Sequence, residues 1–467
     1  MQITKSDFRL FREAPRHLWA KKHDRLDKTE IDELLLVQGD HIEQLAREYL
    51  ETIILPQKPA WTMNWQETAS DGPYLARADA ILLHPDGNEA ELFEIKSSTS
   101  VKDEHIEDAA FQTLIFRKQY NVSRIHLVLV NNEYIFHGSL DLSQFLKMED
   151  ITEKVEEILP DIAILREQAL NAALSDDPSK WEHCWKTRDC VCLDVCHPGL
   201  PEGLTIYDVP RLKKEKKQEL EGMVIRAAKD IPEDFPLSGN QSSVVAAAKS
   251  GQPVIDVSGI RRELARVNYP IYFLDYETCP LAVPAYARFK PYQQVVFQYS
   301  LHRLDSVDSN PIHSEHLSTG EGDPCVPLLA SLKNDLGMEG TVIVWNAPFE
   351  KTRNKEMADL HPEFRTFLED VNDRIYDLME IVSKGLYLHP GFKGSSSIKN
   401  VLPVLVPELR YDTLAINNGT RASFSWWRMM FTPMPDGERQ VISTDLLKYC
   451  ELDTLAMVEL FRQFCRV

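Results

Sequence analysis

The feature that most constrains this chain is the stretch YPIYFLDYETCP, residues 269–280. Ile271 to Leu274 is a β-branched and aromatic run of the kind that forms a buried strand. It stops at Asp275, and Glu277 follows two places on. Side chains alternate along a strand, so both carboxylates point to one face while Tyr276 points to the other. Two like charges side by side raise each other's pKa unless a cation lies between them. A strand running out into a polar loop accounts for an isolated D-x-E equally well, so the remaining sequence has to decide.

Three further segments carry acids in matching settings. TVIVWNAPFEKTRNKEMADL, 341–360, reads as an apolar strand, a turn at Asn346 and Pro348, and a helix with Glu350 in its first turn. RIYDLMEIV, 374–382, is expected to set Asp377 beside an apolar helical segment, away from direct metal contact. LLKYCELDTLAMVELFRQF, 446–464, reads as an amphipathic helix with Tyr449 and Asp453 four apart on one face. GFKGSSSIKNVLP, 391–403, offers Gly, Ser and two lysines before a helix, either an ordinary capped start or a phosphate cradle with Lys399. SFSWWRMMF, 423–431, offers Trp426 and Trp427 as core residues or as base-stacking platforms.

Taken in order, Asp275 and Glu277, Asn346 with Glu350, and Tyr449 with Asp453 resemble the DnaQ-like 3′–5′ exonuclease superfamily, in the subtype whose last motif is Tyr-x-x-x-Asp. Glu350 stands where that family usually carries Asp. FLDYET, VVFQYSLH, WNAPFE, SSSIKNVLP and KYCELDT together also resemble an uncharacterised bacterial domain family of DnaQ-like type, over roughly 270–465. The resemblance implies a ribonuclease H-like fold with a mixed sheet and flanking helices. It also implies Asp275, Glu277, Glu350 and Asp453 as ligands of two Mg²⁺ or Mn²⁺ ions, with Tyr449 orienting water and Asn346 and Lys399 near substrate. Hard ions prefer carboxylate oxygens, and in-line phosphodiester hydrolysis uses a pair of them roughly 3.5–4 Å apart.

The N-terminal half carries a second pattern. YLARADAILLHPDGNEAELFEIKSST, 74–99, reads as a β-hairpin with strands Ala78–Leu83 and Ala90–Ile95. Asp79 is expected on its first strand, and Glu94 and Lys96 share a face of the second. The helical run 105–120 places Gln112 and Phe116 at i, i+4 with Asp108 one turn earlier. The helix 37–50 offers Glu43 or His41, about 200° apart and therefore never facing one site together. This set resembles the RecB-like PD-(D/E)xK nuclease domain, with Phe116 in place of a Tyr. It implies Asp79, Glu94 and Glu43 as metal ligands and Lys96 and Gln112 as catalytic groups, on a restriction-endonuclease-like fold.

Four of eight cysteines, Cys184, Cys190, Cys192 and Cys196, fall within thirteen positions. The iron–sulfur subgroup of RecB-like nucleases, known from CRISPR adaptation, implies a further N-terminal cysteine, where this chain has Ala14 in REAPRHLW. Four local thiolates remain able to take [4Fe–4S] or Zn²⁺, although C-x₅-C-x-C-x₃-C lacks the paired C-x₂-C of zinc sites. Four reduced thiols with no metal is an equally open reading.

The expected organisation of this α/β chain is a RecB-like domain over 1–200, a basic, partly helical connector over 201–265, and a DnaQ-like domain over 266–467. The 467 residues allow two or three domains. A charged N-terminus without an apolar core region, and no apolar run of about 18 residues, argue against secretion and membrane spans and for the cytoplasm. The net charge of −20 is unfavourable for phosphate binding, although acidic metal ligands add to it and RLKKEKK, 211–217, supplies a local basic run. The expectation is therefore a metal-dependent nuclease acting on DNA or RNA at single-stranded ends. The alternatives are a nucleic-acid-binding scaffold with inactive modules and a phosphodiesterase of short oligonucleotides.

Overall fold

The computed structural model describes residues 1–27 and 32–467. The chain is α/β and divides into two compact units: Met1–Gly199 with Leu281–Gln293, and Leu200–Pro280 with Gln294–Val467. Residues 201–265, expected as a connector, thus fall inside the second unit, with helices Lys214–Gly222, Gly239–Ser250 and Val257–Leu264. Among the described residues no helix is long and apolar enough to cross a membrane.

The first unit is built on a five-stranded mixed sheet, ordered Thr62–Trp65, Ala80–Leu83, Ala90–Lys96, Val122–Val130, Leu146–Asp150. Its hairpin forms where HPDGNE predicts it. Ala80 pairs with Phe93, and Gly87 takes the positive φ of the turn. Both faces are covered, which is why these strands read as nearly continuous apolar runs. Ile81, Leu92, Leu127 and Leu129 pack with Phe111, Ile115, Val155 and Leu159 of helices Asp103–Phe116 and Thr152–Leu174. Ala80, Leu82, Phe93, Val128 and Val130 face Ile42, Ala46 and Tyr49 of helix Glu33–Tyr49.

The second unit carries another five-stranded mixed sheet, ordered Ile312–Leu317, Gln294–Leu304, Ile271–Pro280, Thr341–Val344, Ile375–Asp377. Ile271–Pro280 is central. It pairs antiparallel with Gln294–Leu304 along its whole length, but parallel with Thr341–Val344 only through Phe273. Beyond Phe273 one edge is unpaired, and there Asp275 and Glu277 stand, at the carboxyl end of the parallel strands where α/β sheets form their crevices. A break in register between Glu277 and Thr278 ends the regular ladder.

The helix of 446–464 is longer than its motif suggested, running Asp436–Cys465 with Asp436 and Glu438 in its first turn. Phe461 packs edge-on to Phe273 at 5.7 Å. Phe273 shares its face with Asp275 and Glu277, and Tyr449, Asp453, Met457 and Phe461 recur every four residues. One packing contact therefore carries the helix's Tyr-x-x-x-Asp face over the two strand acids.

Candidate metal centres

In the second unit four acids from three segments converge. Glu277, Glu350 and Asp453 are buried and Asp275 is half-buried. Burial is the main force raising the pKa of Asp275, Glu277 and Glu350 well above the carboxylate range, and the neighbouring acids add to it. Asp453 is raised to about 6, again by burial, with Tyr411, Lys399 and Tyr449 pulling the other way. The positive charges acting on these acids are Lys399, on Asp275, Glu277 and Asp453, and Arg353, on Glu350. Glu350 Oε2 and Asp453 Oδ2 are buried with no hydrogen-bond partner. Buried carboxylates that outnumber nearby cations and keep orphaned oxygens suit divalent cations.

The scaffold fixes each acid. Gln298 donates its side-chain amide to the Leu446 carbonyl at 3.0 Å, and Ser300 meets Thr454 Oγ1 at 2.6 Å, which locks the C-terminal helix to the sheet. Tyr276, on the opposite face, donates to Asn354 Oδ1 at 3.0 Å and anchors helix Ala347–Leu360, whose first turn carries Glu350. Asp377 lies just before the short helix Glu380–Ser383. It ends a strand, and its carboxylate accepts the backbone N–H groups of Ala347 at 2.9 Å and Met379 at 3.0 Å, setting the turn before Glu350. Asn346 is an exposed helix cap whose side chain makes no cap hydrogen bond, while its carbonyl accepts the Glu350 N–H at 3.5 Å.

Tyr411 and Cys450 escaped the sequence reading as site residues, whereas Lys399 was named by it. Tyr411 donates its hydroxyl to Asp453 Oδ1 at 2.5 Å and is buried beside Tyr449, with ring centroids 6.2 Å apart. It lies in an irregular loop, RYDTLAINNG, whose pattern announces nothing. Cys450 brings its sulfur within 4.8 Å of carboxylate oxygens of both Asp275 and Glu277, and its position three before Asp453 could have signalled a shared helix face. Lys399 Nζ donates to the Asn417 carbonyl at 2.9 Å and stands 5.5 Å from the centroids of both tyrosine rings. Lys399, Arg410 and Tyr411 also border a cavity of 360 Å³. Trp426, by contrast, is wholly buried, stacked 4.6 Å from Phe297 with its indole N–H on the Ser318 carbonyl at 3.0 Å. It serves the core and offers bases no platform. Trp427 is half-buried and stacked on Phe424.

In the first unit Asp79 lies one residue before its strand rather than on it, and its carboxylate accepts the Ile95 N–H at 2.8 Å. Glu94 and Lys96 do share a face: Lys96 Nζ lies 2.8 Å from Glu94 and 2.8 Å from Asp108. Gln112 donates to Glu94 Oε2 at 2.8 Å. Lys5, which the motif did not include, forms an ion pair with Glu94 as well. Burial works against the Glu94 charge, yet Lys5 and Lys96 outweigh it and hold the pKa at about 2. Asp79 goes the other way, pushed up to about 7 by burial and by Glu94. Glu43 is half-buried and bonded to Arg47 at 2.7 Å and Gln66 at 2.9 Å, whereas His41 is exposed. Phe116 is a core residue stacked on Tyr120.

The cysteine segment lies against helix Pro15–Lys22 in the same unit. Cys184, Cys192 and Cys196 are buried and Cys190 half-buried, in a small core with Ala14, Trp19 and Ala20. Arg16 ties the two segments together, donating to the carbonyls of Trp181 at 2.8 Å and Cys196 at 2.8 Å.

The second unit is thus defined by a buried acid cluster at the open end of a mixed sheet. Residues 272–397 match the family described as Domain of unknown function (DUF2779). That segment holds Asp275, Glu277, Glu350 and Asp377, and ends before Lys399, Tyr411 and the C-terminal helix. The chain is also similar to the Uncharacterized protein UU173 of Ureaplasma parvum serovar 3, 33% identical over 138 residues, which cover 26% of this chain and 20% of that protein. The chain therefore matches about a fifth of that relative's length. A solved structure titled Crystal structure of SSO0001 aligns at 16% identity and TM-score 0.24, over 43% of this chain and 88% of its own, too loosely to bear on fold.

Proposed function

We propose that the second unit is a metal-dependent phosphodiesterase that trims nucleic acid from 3′ ends, on a DnaQ-like, ribonuclease H-like fold. The observation that carries this is the buried cluster of Asp275, Glu277, Glu350 and Asp453, with unpartnered oxygens on Glu350 and Asp453. These residues would hold two Mg²⁺ or Mn²⁺ ions, which when bound supply a Lewis acid and a nucleophilic water at neutral pH. Tyr411 fixes one oxygen of Asp453 and leaves the other free for a ligand. Tyr449, on the same helix face, would orient water. Lys399, on the rim of the adjoining cavity, supplies the positive charge a phosphodiester needs in an otherwise acidic chain.

The first unit supports a second reading. Glu94, Lys96 and Gln112, the residues that resemble a RecB-like set, lie together, but Glu94 already receives Lys5, Lys96 and Gln112. An acid neutralised by the chain's own ammonium groups favours a module that binds nucleic acid over one that cuts it.

The test uses single-stranded DNA and RNA labelled at either end. With Mg²⁺ or Mn²⁺, wild type shortens a 5′-labelled strand stepwise, and Asp275→Asn abolishes this. Loss of activity in Glu94→Gln with full activity in Asp275→Asn would move the chemistry to the first unit. Binding without turnover in every metal would replace the enzyme with a scaffold, and cleavage confined to dinucleotides would leave a small-substrate phosphodiesterase.

A further inference from the structure

The cysteine segment gains a partner that its spacing does not reveal. His17 projects from helix Pro15–Lys22, three residues after Ala14, the position where the iron–sulfur pattern has its N-terminal cysteine. One ligand atom each from His17, Cys190, Cys192 and Cys196 lies within 4.8 Å of all the others. Cys192 and Cys196 sulfurs are 3.7 Å apart, and His17 Nε2 is 3.6 Å from Cys190 Sγ. A tetrahedral zinc with Zn–S of about 2.3 Å and Zn–N of about 2.05 Å sets sulfurs about 3.8 Å apart and sulfur from nitrogen about 3.5 Å. Both edges agree. A [4Fe–4S] cubane binds each thiolate to a different iron and needs a wider ring of sulfurs, with room for the cluster between them. The donor set fits one ion and not a cubane.

The surroundings support the same assignment. His17 presents Nε2 to the sulfurs, while its Nδ1 stands 3.5 Å from Glu13 Oε2, one turn earlier. A carboxylate behind a metal-bound imidazole fixes its tautomer and raises its basicity. Cys196 Sγ accepts the backbone N–H of Cys184 at 3.5 Å, as a thiolate ligand does from its supporting loop. Cys184 itself borders the group, but its sulfur accepts the Lys186 N–H at 3.3 Å and meets the Lys186 carbonyl at 3.3 Å.

We infer that His17, Cys190, Cys192 and Cys196 form a single-ion zinc site that clasps the N-terminal helix to the cysteine segment, in place of an iron–sulfur cluster. All four positions are protein ligands, so no position is left for water or substrate, and the site is structural. Its chain separation explains its use. Ligands about 170 residues apart close a loop whose ordering entropy a single ion offsets.

The full-length chain, purified with and without air, is assayed for zinc, iron and acid-labile sulfide, and its Zn²⁺ affinity is measured by competition with a chromogenic chelator. The expected result is one zinc per chain and no sulfide in both preparations. His17→Ala and Cys196→Ser are expected to weaken zinc binding at least tenfold. His17→Cys restores it, showing that the loss comes from the ligand and not from misfolding, and Cys184→Ser leaves it unchanged. Co²⁺ replacing Zn²⁺ gives the intense visible bands of a tetrahedral sulfur-rich site, shifted in His17→Cys. Four irons with sulfide in the anaerobic protein overturns the inference. So does wild-type zinc affinity in His17→Ala, loss of zinc in Cys184→Ser with retention in His17→Ala, or no metal in any preparation.

Discussion

Removing one acid from the second unit's cluster should abolish activity and, without metal, make the protein more stable. Asp275→Asn is the informative substitution. It keeps the shape, while carboxylate oxygens of Asp275 and Glu277 reach a common point with Cys450 within 4.8 Å. Two full charges at 4.8 Å repel by about 3.5 kcal/mol at an effective dielectric of about 20. Partial protonation takes up part of that strain, so the expected gain is about 1–3 kcal/mol. The sign follows from linkage. The folded-state pKa of Asp275 lies above its unfolded value, so its ionisation costs stability increasingly as pH rises from about 4 through the folded pKa. The gain is therefore expected at pH 8 in chelator and should shrink towards pH 5. Saturating Mg²⁺ binds the native wild type and narrows or reverses the gap. Urea-dependent hydrogen exchange, read on peptides from Ile271–Pro280 and Asp436–Cys465, reports on this unit alone. A variant less stable than wild type at pH 8 in chelator, or a gap that ignores pH, would refute the account of a like-charged cluster awaiting cations.

Tyr411→Phe deletes the hydroxyl that holds Asp453 Oδ1; turnover should fall by roughly tenfold to a hundredfold with the fold intact, and undiminished turnover would strip Tyr411 of its positioning role. Lys5→Ala removes one of two ammonium groups on buried Glu94 and is expected to destabilise the first unit by about 1–3 kcal/mol. In a double-mutant cycle with Glu94→Gln most of that loss should vanish, and simple additivity would show the pair to be uncoupled. Trp426→Ala should cost about 3–5 kcal/mol in urea unfolding without changing oligonucleotide affinity under native conditions; weakened binding in a folded protein would return the base-stacking role to this residue.

How far the sequence carried is clearest where local pattern and tertiary contact meet. The hairpin around HPDGNE, the strand of FLDYET and the shared face of Glu94 and Lys96 were legible because two-residue alternation and turn chemistry act over a few residues. So was the pairing of Tyr449 with Asp453, which one helical turn enforces. What eluded the reading came from groups joined only by folding. Tyr411 sits in a loop without periodicity, Lys5 reaches Glu94 across 89 residues and His17 meets Cys190 across 173. The acids in D-x-E and E-x-K looked alike on paper, as two same-face charges on a strand. Their environments part them: Glu94 is held ionised by two lysines, whereas Asp275 and Glu277 share the one lysine, Lys399, and press on each other. A motif fixes which oxygens face a site, but the cations the fold delivers decide whether those oxygens are already satisfied. By that criterion the acids of Asp275 and Glu277, and not Glu94, are the ones left for a cation from outside the chain to satisfy.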